Sequence, residues 1–330
     1  MKKIILLTII ILINNIAFAQ IKKKYYDNGQ LKYTGMLTDG KKSGEWKFFY
    51  ENGELKSVAS FVNGKPSGEV KEYYQNGKLK LVRNFLNGNL SGAVKSYHKN
   101  GQLQGVGNIV NGKIHDEWKF YYENGQLESI GEMSGEKKIG LWNYYHQNGE
   151  LSHKGTYING IKSDEWLFYS EGGVLKKRQN YLESGEIYEK NYYEIGQLEY
   201  EIIFGKDGLS KNEAKYYHEN GQLSAIGSWS KGKKESVWKY YHDNGQLKGS
   251  WNFENGKLEG ELKRYHENGE LNLFELWKNS KLMNIVIIKD EKGNKLDKGT
   301  IINGNGTVNV YSSSGELIRT DIYKNGIKQD

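Results

Sequence analysis

The sequence predicts an all-β fold, an elongated array of antiparallel β-hairpins of about 24 residues each that pair into a single curved and twisted sheet. Three observations predict it. Asn-Gly pairs recur between alternating aromatic and aliphatic residues, a second turn sequence falls half a period later, and Pro66 is the only proline among 330 residues. Asn-Gly flanked by such alternation is the strongest short hairpin signal, because both residues tolerate a positive φ.

The first nineteen residues have the order of a secretory signal peptide. Lys2 and Lys3 precede an apolar run over residues 4–13, and Ala19 and Gln20 flank the predicted cleavage point. The run is shorter than the roughly twenty residues that a membrane span needs, which disfavours the alternative of a short anchor. We therefore predict a signal peptide over residues 1–19 and an exported mature chain that is periplasmic, cell-surface or secreted.

One glycine in each repeat marks the period, and we call these residues the mark glycines. They are Gly29, Gly53, Gly77, Gly101, Gly125, Gly149, Gly173, Gly196, Gly221, Gly245, Gly269, Gly293 and Gly315. Nine of the twelve intervals are 24 residues, and nine of the thirteen marks follow an Asn. The sequence thus predicts one continuous array over residues 20–330 with about thirteen repeats, of which the last two, about 281–330, are degenerate.

The second turn of each repeat leaves room for two strands of six to eight residues. It reads Asn-Gly or Asp-Gly, as in Asn63-Gly64 and Asn111-Gly112. An isolated hairpin is only marginally stable in water, so neighbouring repeats are expected to pair edge to edge.

Counting back from the mark glycines gives the predicted packed face. Five tryptophans lie seven residues before a mark: Trp46, Trp118, Trp142, Trp166 and Trp238. Side chains alternate along a strand, so the aromatic residues five and three before the mark share this face. A two-residue turn would place the residue three before opposite the Leu two after, Trp118 opposite Gly131 and Trp142 opposite Gly155. We predict that the tryptophans form the structural core.

The opposite face is predicted to be solvated and to carry any binding surface. Lys recurs six residues before the mark and Glu eight before, which indicates a ladder of surface ion pairs. Four residues before the mark stands a tyrosine in nearly every repeat, and we call the following residues the tyrosine row: Tyr73, Tyr97, Tyr121, Tyr145, Tyr169, Tyr217, Tyr241 and Tyr265. Because it faces solvent, this row is the candidate binding surface.

These motifs resemble those of the bacterial variant of the MORN repeat. The match includes the stretch from Tyr121 to Leu127, the stretch from Asn63 to Val70, and Trp46 after Gly44-Glu45, while the repeats at Gly196 and Gly293 depart from it. The resemblance implies a single curved sheet of hairpins and a role in scaffolding, protein interaction or lipid contact. Many bacterial relatives are described as putative antitoxins of the YwqK type. A more distant likeness is to the cell-wall-binding hairpin repeats that hold choline between aromatic rings.

Composition and motifs argue against catalysis, cofactors and nucleic acid. The chain has no cysteine, and its net charge of +7, which falls to +5 when the two lysines of the signal peptide are removed, is spread over mixed signs. Five histidines lie three residues before a mark: His98, His146, His218, His242 and His266. Equivalent places in adjacent hairpins are about 9.6 Å apart, too far for one zinc ion. Tyrosine fills the same place elsewhere, so we expect no metal site.

The sequence therefore predicts a non-enzymatic binding or scaffold protein of the cell envelope. Its expected partner is a protein or a cell-wall glycan, because aromatic rings give a large contact area and little entropy to lose. The alternative is an antitoxin or immunity protein that masks a toxin, and a third possibility is contact with membrane lipid.

Overall fold

The computed structural model describes residues 18–329, which form strands and turns and contain no helix. Strands β1 to β25 belong to one antiparallel sheet, and β26 to β28 form a second sheet of three strands. The predicted all-β fold of antiparallel hairpin repeats is confirmed. Most of the predicted signal peptide, residues 1–17, lies outside the described residues.

The chain divides into two compact units, and the first comprises Met1–Gly140 and Gln147–Gly149. Its strands are β1 Ala19–Tyr25, β2 Leu31–Thr38, β3 Lys41–Phe49, β4 Leu55–Val62, β5 Lys65–Tyr73, β6 Leu79–Leu86, β7 Asn89–Leu90, β8 Gly92–Tyr97, β9 Leu103–Val110, β10 Lys113–Tyr121 and β11 Leu127–Ser134. Strand β12, Lys137–Tyr145, begins in this unit and ends in the second. Ala19 and Gln20, the predicted cleavage residues, are the first two residues of β1.

The second unit comprises Leu141–His146 and Glu150–Asp330. Its strands are β13 Leu151–Ile158, β14 Ile161–Tyr169, β15 Leu175–Tyr181, β16 Ile187–Tyr192, β17 Leu198–Phe204, β18 Ser210–Tyr217, β19 Leu223–Ser230, β20 Lys233–Tyr241, β21 Leu247–Glu254, β22 Lys257–Tyr265, β23 Leu271–Lys278, β24 Lys281–Lys289, β25 Lys295–Leu296, β26 Gly306–Tyr311, β27 Leu317–Lys324 and β28 Ile327–Lys328.

The turn at each mark glycine is one residue longer than the Asn-Gly pair suggests. At Gly125, the glycine N–H donates to the carbonyl of Tyr122 at 2.9 Å, and the N–H of Tyr122 donates to the carbonyl of Gln126 at 2.9 Å. Only the glycine has a positive φ, of 88°. This is a type I turn closed by a glycine bulge. The expectation of positive φ at both residues was wrong for this turn.

The second turn of the repeat has the geometry predicted for Asn-Gly. Asn63 has φ 48° and Gly64 has φ 81°, and both values are those of a type I′ turn. The two turns of a repeat thus differ although both read Asn-Gly, because only the second is a two-residue connection.

The bulge at the mark turn shifts the pairing beside it and leaves the rest in register. Trp118 pairs with Gly131 as predicted, and Phe120 pairs with Ser129. The register then shifts, so that Leu127 pairs with Tyr121 and not with Tyr122. The prediction that the residue three before the mark pairs with the leucine was therefore wrong, because the turn has an extra residue. The pairing of Trp142 with Gly155 stays a prediction.

A second bulge recurs nine residues before the mark, where the backbone turns through a left-handed conformation. Gly155 pairs with Trp166 while the next residue, Thr156, pairs with Ser163, so two residues of β14 have no partner on β13, although both pair with β15. A positive φ occurs at this place in nine repeats: Gly44, Gly68, Gly92, Asp116, Gly140, Asp164, Asn212, Ser236 and Gly260. Gly, Asn and Asp adopt this conformation most readily, which explains eight of the nine residues but not Ser236. The bulge immediately precedes the stretch that carries the tryptophan.

The C-terminal end of the second unit has a compact apolar core in addition to the repeats. Leu282, Ile285 and Ile288 of β24 pack with Ile301 and Val308, and all five are buried. Partly buried residues surround them: Leu273, Trp277, Leu296, Tyr311 and Tyr323. The last described strands therefore pack as a small globular element, and the boundaries of the predicted domains stay a prediction.

Candidate binding surface

In nine repeats, the aromatic residue three before the mark glycine forms a hydrogen bond to the next repeat. The hydroxyl of Tyr50 donates to the carbonyl of Tyr73 at 2.7 Å, and Nε2 of His98 lies 2.8 Å from the carbonyl of Tyr121. The same contact, 23 or 24 residues along the chain, is made by Tyr26, Tyr74, His146, Tyr193, His218, His242 and His266. This ring-tip ladder explains why Tyr and His interchange.

The asparagine of the mark turn adds a second ladder beside the first. The Asn124 side chain accepts the N–H of Gln126 at 2.9 Å and donates to the carbonyl of Gln147 at 3.0 Å. The donation to the next repeat recurs at Asn28, Asn76, Asn100, Asn220, Asn244 and Asn268. The asparagine of Asn-Gly therefore stabilises the pairing of repeats as well as the turn.

The histidines of the ring-tip ladder act as hydrogen-bond donors. Among residues 18–329, no group of three candidate ligands could hold a metal ion.

Four of the five predicted core tryptophans are completely buried, and the fifth is not. Trp46, Trp142, Trp166 and Trp238 are at most 2% exposed, whereas Trp118 is half-buried. The indole N–H of a buried member donates to a carbonyl ten residues earlier, as from Trp166 to Thr156 at 3.2 Å. Trp118 instead donates to His115, three residues earlier.

Four of the five tryptophan rings, those of Trp46, Trp118, Trp166 and Trp238, lie over a glycine of the preceding strand. A Cβ at Gly155 would lie 2.2 Å from Cδ2 of Trp166, and one at Gly107 would lie 2.1 Å from the same atom of Trp118. Gly35 and Gly227 lie beneath Trp46 and Trp238 in the same way. The idea of a ring across a glycine thus holds, but the glycine beneath the Trp118 ring is Gly107 and not its pairing partner Gly131.

Lysines missed by the sequence reasoning cover the tryptophan rings. Nζ of Lys162 lies 4.2 Å from the ring centre of Trp166, 5.5 Å from that of Phe168 and 5.8 Å from that of Tyr181. Lys42 and Lys234 each contact three rings in the same way. Burial lowers the pKa of Lys162 and Lys234, and Lys177 lowers that of Lys162 further. The signal was a lysine four residues before the tryptophan. Lysines and glycines of the same chain thus already contact the tryptophan rings of this face.

The structure places all eight residues of the tyrosine row at the ends of strands, half-buried. The carbonyls of seven of them accept the hydrogen bonds of the ring-tip ladder named above, so the backbone beneath these seven rings is fixed. The hydroxyls of six make no hydrogen bond to any residue that the structure describes: Tyr73, Tyr97, Tyr121, Tyr169, Tyr241 and Tyr265. These hydroxyls remain available to a ligand.

Exposed ion pairs flank the row, as predicted. Lys71 lies 2.8 Å from Glu69, and the proximity of Glu69 raises the pKa of Lys71. Equivalent pairs are Glu45–Lys47, Glu117–Lys119, Glu213–Lys215 and Glu261–Lys263. Exposed pairs of this kind contribute little to stability, so their main effect is a strip of mixed charge beside the tyrosines.

One repeat departs from this pattern in the tryptophan column. Glu189, only 7% exposed, stands seven residues before Gly196, where five other repeats have tryptophan and several others have Val, Leu or Ala. Its carboxylate accepts hydrogen bonds from Gln179 at 2.6 Å and from the hydroxyl of Tyr200 at 2.8 Å. Both carboxylate oxygens are satisfied, so a polar network replaces the indole here.

The chain belongs to the MORN repeat variant family. The family matches residues 21–37, 42–63, 66–87, 90–111, 117–134, 138–159, 212–231, 234–255 and 258–273, more than half of the chain. The predicted resemblance is confirmed. Residues 160–211, which include Glu189, lie between two of the matched segments.

Comparison with other proteins adds no functional assignment. No curated protein matches the chain. Solved structures that match include the crystal structure of TcdB2-TccC3-Cdc42 and the Tc holotoxin pore of Photorhabdus luminescens, at 13% sequence identity and a TM-score of 0.18. These alignments cover 92% and 93% of this chain and 18% of the other, so the chain spans less than a fifth of their length. Likeness this low carries no argument about fold or function. Within residues 18–329, no helix has the length and apolarity that a membrane span requires.

Proposed function

We propose that this MORN repeat protein is a non-enzymatic binding scaffold of the cell envelope, whose tyrosine row engages a protein or a cell-wall glycan. The observation that supports the proposal is the row itself: repeated rings on a hydrogen-bonded backbone, six of which have hydroxyls that make no hydrogen bond to a described residue. Rings fixed before binding lose little entropy on contact. Repetition lets many weak contacts add along an extended partner.

The opposite face is less suited to this role. Its tryptophans are buried against glycines, and lysines of the same chain already cover three of them. A partner that stacked there would have to displace a cation that three rings hold.

A row variant tests the proposal directly. The mature chain, residues 20–330, would be immobilised and incubated with envelope extract and with purified cell-wall sacculi. Replacement of Tyr73, Tyr97 and Tyr121 together by serine should weaken capture at least about tenfold if each ring contributes roughly 1 kcal/mol. Capture that is unchanged by the triple replacement, or absent for the unaltered chain in both incubations, would refute the proposal.

The matched control changes three exposed apolar residues at the other ends of strands in the same unit. Val62, Leu86 and Val110 are 59%, 65% and 43% exposed. Their replacement by threonine should leave capture unchanged. Circular dichroism melting of both triple variants separates a loss of binding from a loss of fold.

The location in the envelope is a separate part of the proposal. It rests on Lys2, Lys3 and the apolar run before Ala19. Cell fractionation and N-terminal sequencing test it: an exported product that begins at Gln20 supports it, and a cytoplasmic product that begins at Met1 refutes it.

A further inference from the structure

One carboxylate fixes two tyrosine hydroxyls on the face of the tyrosine row. Glu201 of β17 accepts a hydrogen bond from the hydroxyl of Tyr217 at 2.9 Å and another, through its other oxygen, from the hydroxyl of Tyr188. Nζ of Lys190 lies 3.5 Å from this carboxylate and Nζ of Lys215 lies 3.7 Å from it. We call these five residues the Glu201 cluster.

The cluster results from two coordinated departures from the repeat. Five residues after the mark, where Glu201 stands, five other repeats carry a β-branched aliphatic side chain: Val58, Val82, Val106, Ile130 and Ile226. Eight before the mark, where Tyr188 stands, six other repeats carry a glutamate: Glu45, Glu69, Glu117, Glu165, Glu213 and Glu261. In this repeat the acidic side chain therefore lies at the centre of the face, between Lys190 on one neighbouring strand and Lys215 on the other.

The hydrogen bonds give the two hydroxyls a fixed direction. Each donates its single proton to the carboxylate, so each presents only lone pairs to an incoming ligand. The hydroxyls of Tyr73, Tyr97, Tyr121, Tyr169, Tyr241 and Tyr265 have no such acceptor among the residues that the structure describes. Burial, the hydrogen bond to Glu201 and its charge raise the pKa of Tyr217 to about 12, and the same causes raise the pKa of Tyr188. Both phenols therefore stay neutral at physiological pH.

We propose that the Glu201 cluster is a carbohydrate subsite of the tyrosine row, an inference that rests on the proposed function. A sugar offers what the cluster complements: hydroxyl donors for the two phenol oxygens, hydroxyl acceptors for the two ammonium groups, and a C–H face for the rings. The central carboxylate, only 17% exposed, disfavours a free anion such as phosphate. A neutral, polyhydroxylated ligand fits best.

Binding of a β-1,4-linked N-acetylglucosamine hexasaccharide, measured by titration calorimetry, tests the subsite. Glu201→Val installs the side chain type of other repeats, so the fold should be retained while both hydroxyls lose their acceptor. Its affinity should fall at least about tenfold, since charge-assisted hydrogen bonds orient the site. Tyr217→Phe, which removes one oxygen, should weaken binding severalfold even if Glu201→Val fails to fold.

Glu213→Gln is the matched control. Glu213 lies 3.8 Å from the same Lys215 and is 60% exposed, but it holds no tyrosine. The hexasaccharide should bind this variant within about twofold of the unaltered chain, because an exposed pair contributes little. Equal affinity of Glu201→Val and the unaltered chain would overturn the subsite, as would displacement of the sugar by inorganic phosphate.

The outcomes separate the subsite from the proposed function. If the unaltered chain captures an envelope partner through the tyrosine row but does not bind the hexasaccharide, the subsite is wrong and the function stands. If the row variant also captures its partner unchanged, the proposed function fails as well.

Discussion

Nε2 of His98 lies 2.8 Å from the carbonyl oxygen of Tyr121, which belongs to the next repeat. A carbonyl can only accept, so the imidazole carries its proton on Nε2. Tyr50 makes the same contact to Tyr73 through its hydroxyl, at 2.7 Å. A histidine and a tyrosine thus present a donor at the same place, and the column that first suggests a metal site connects neighbouring repeats by hydrogen bonds.

Removing one donor of the ring-tip ladder should weaken the pairing between neighbouring repeats. Tyr50→Phe leaves the carbonyl of Tyr73 without the hydroxyl, and we expect the free energy of unfolding to fall by about 1 kcal/mol. Tyr73→Phe is the control, because its hydroxyl makes no hydrogen bond within residues 18–329. Urea unfolding followed by circular dichroism measures both, and equal stability of the two variants would contradict the ladder.

A methyl group beneath a tryptophan should be far more costly than one elsewhere. In Gly155→Ala the new Cβ would lie 2.2 Å from Cδ2 of Trp166, so the ring has to move from its place. We expect a loss of about 1–3 kcal/mol, the usual range for overpacking. At Gly172 the nearest atom to a new Cβ is Oγ of Ser170, at 3.8 Å. Gly172→Ala should therefore change the melting temperature little. A lower melting temperature for Gly172→Ala than for Gly155→Ala would contradict the importance of the contact between Gly155 and Trp166.

The tryptophans should not contribute equally. Trp166 is completely buried, and its removal in Trp166→Ala should cost about 3–5 kcal/mol, the range for a large aromatic in a core. Trp118 is half-buried and donates only to a carbonyl three residues earlier, so Trp118→Ala should cost less. Denaturant unfolding of both variants decides this, and an equal cost would mean that exposure does not govern their contribution.

The period and the turn residues were sufficient to predict the fold and the pairing of Trp118 with Gly131. The geometry beside the mark turn was not predictable in this way. Both turns of a repeat read Asn-Gly, so the dipeptide alone does not distinguish a type I′ turn from a bulged turn. The bulged turn also forms at Gly173 and Gly196, which no Asn precedes. Strand alternation, which assumes a regular ladder, stops at the bulge.

The candidate binding surface, like the fold, was only partly predictable from the sequence. The tyrosine row was readable from spacing, because four residues before the mark is a fixed place on a regular strand. The Glu201 cluster was not, since Tyr188 and Tyr217 meet the carboxylate from two different neighbouring strands. Lys42, four residues before Trp46, shares its face by strand alternation. It was missed because spacing alone does not show that the ammonium group lies over the Trp46 ring.

Alkaline pH should destabilise the protein through its buried tyrosines. Burial raises the pKa of Tyr240 to about 12, and burial together with Glu201 raises that of Tyr217 to about 12. In the unfolded chain the phenol ionises near 10. Between these values the folded state holds more protons than the unfolded state, so the stability that is fully present below about pH 10 is lost as the pH rises toward 12.

The Tyr217→Phe variant isolates one of these groups. It has no phenol at this position, so its free energy of unfolding should decline less steeply between about pH 10 and 12 than that of the unaltered chain. Urea unfolding at a series of pH values gives the two slopes, and tyrosinate absorbance of the folded protein gives the titration directly. Identical slopes would mean that the hydroxyl of Tyr217 titrates alike in both states, and the hydrogen bond to Glu201 would then not hold its proton.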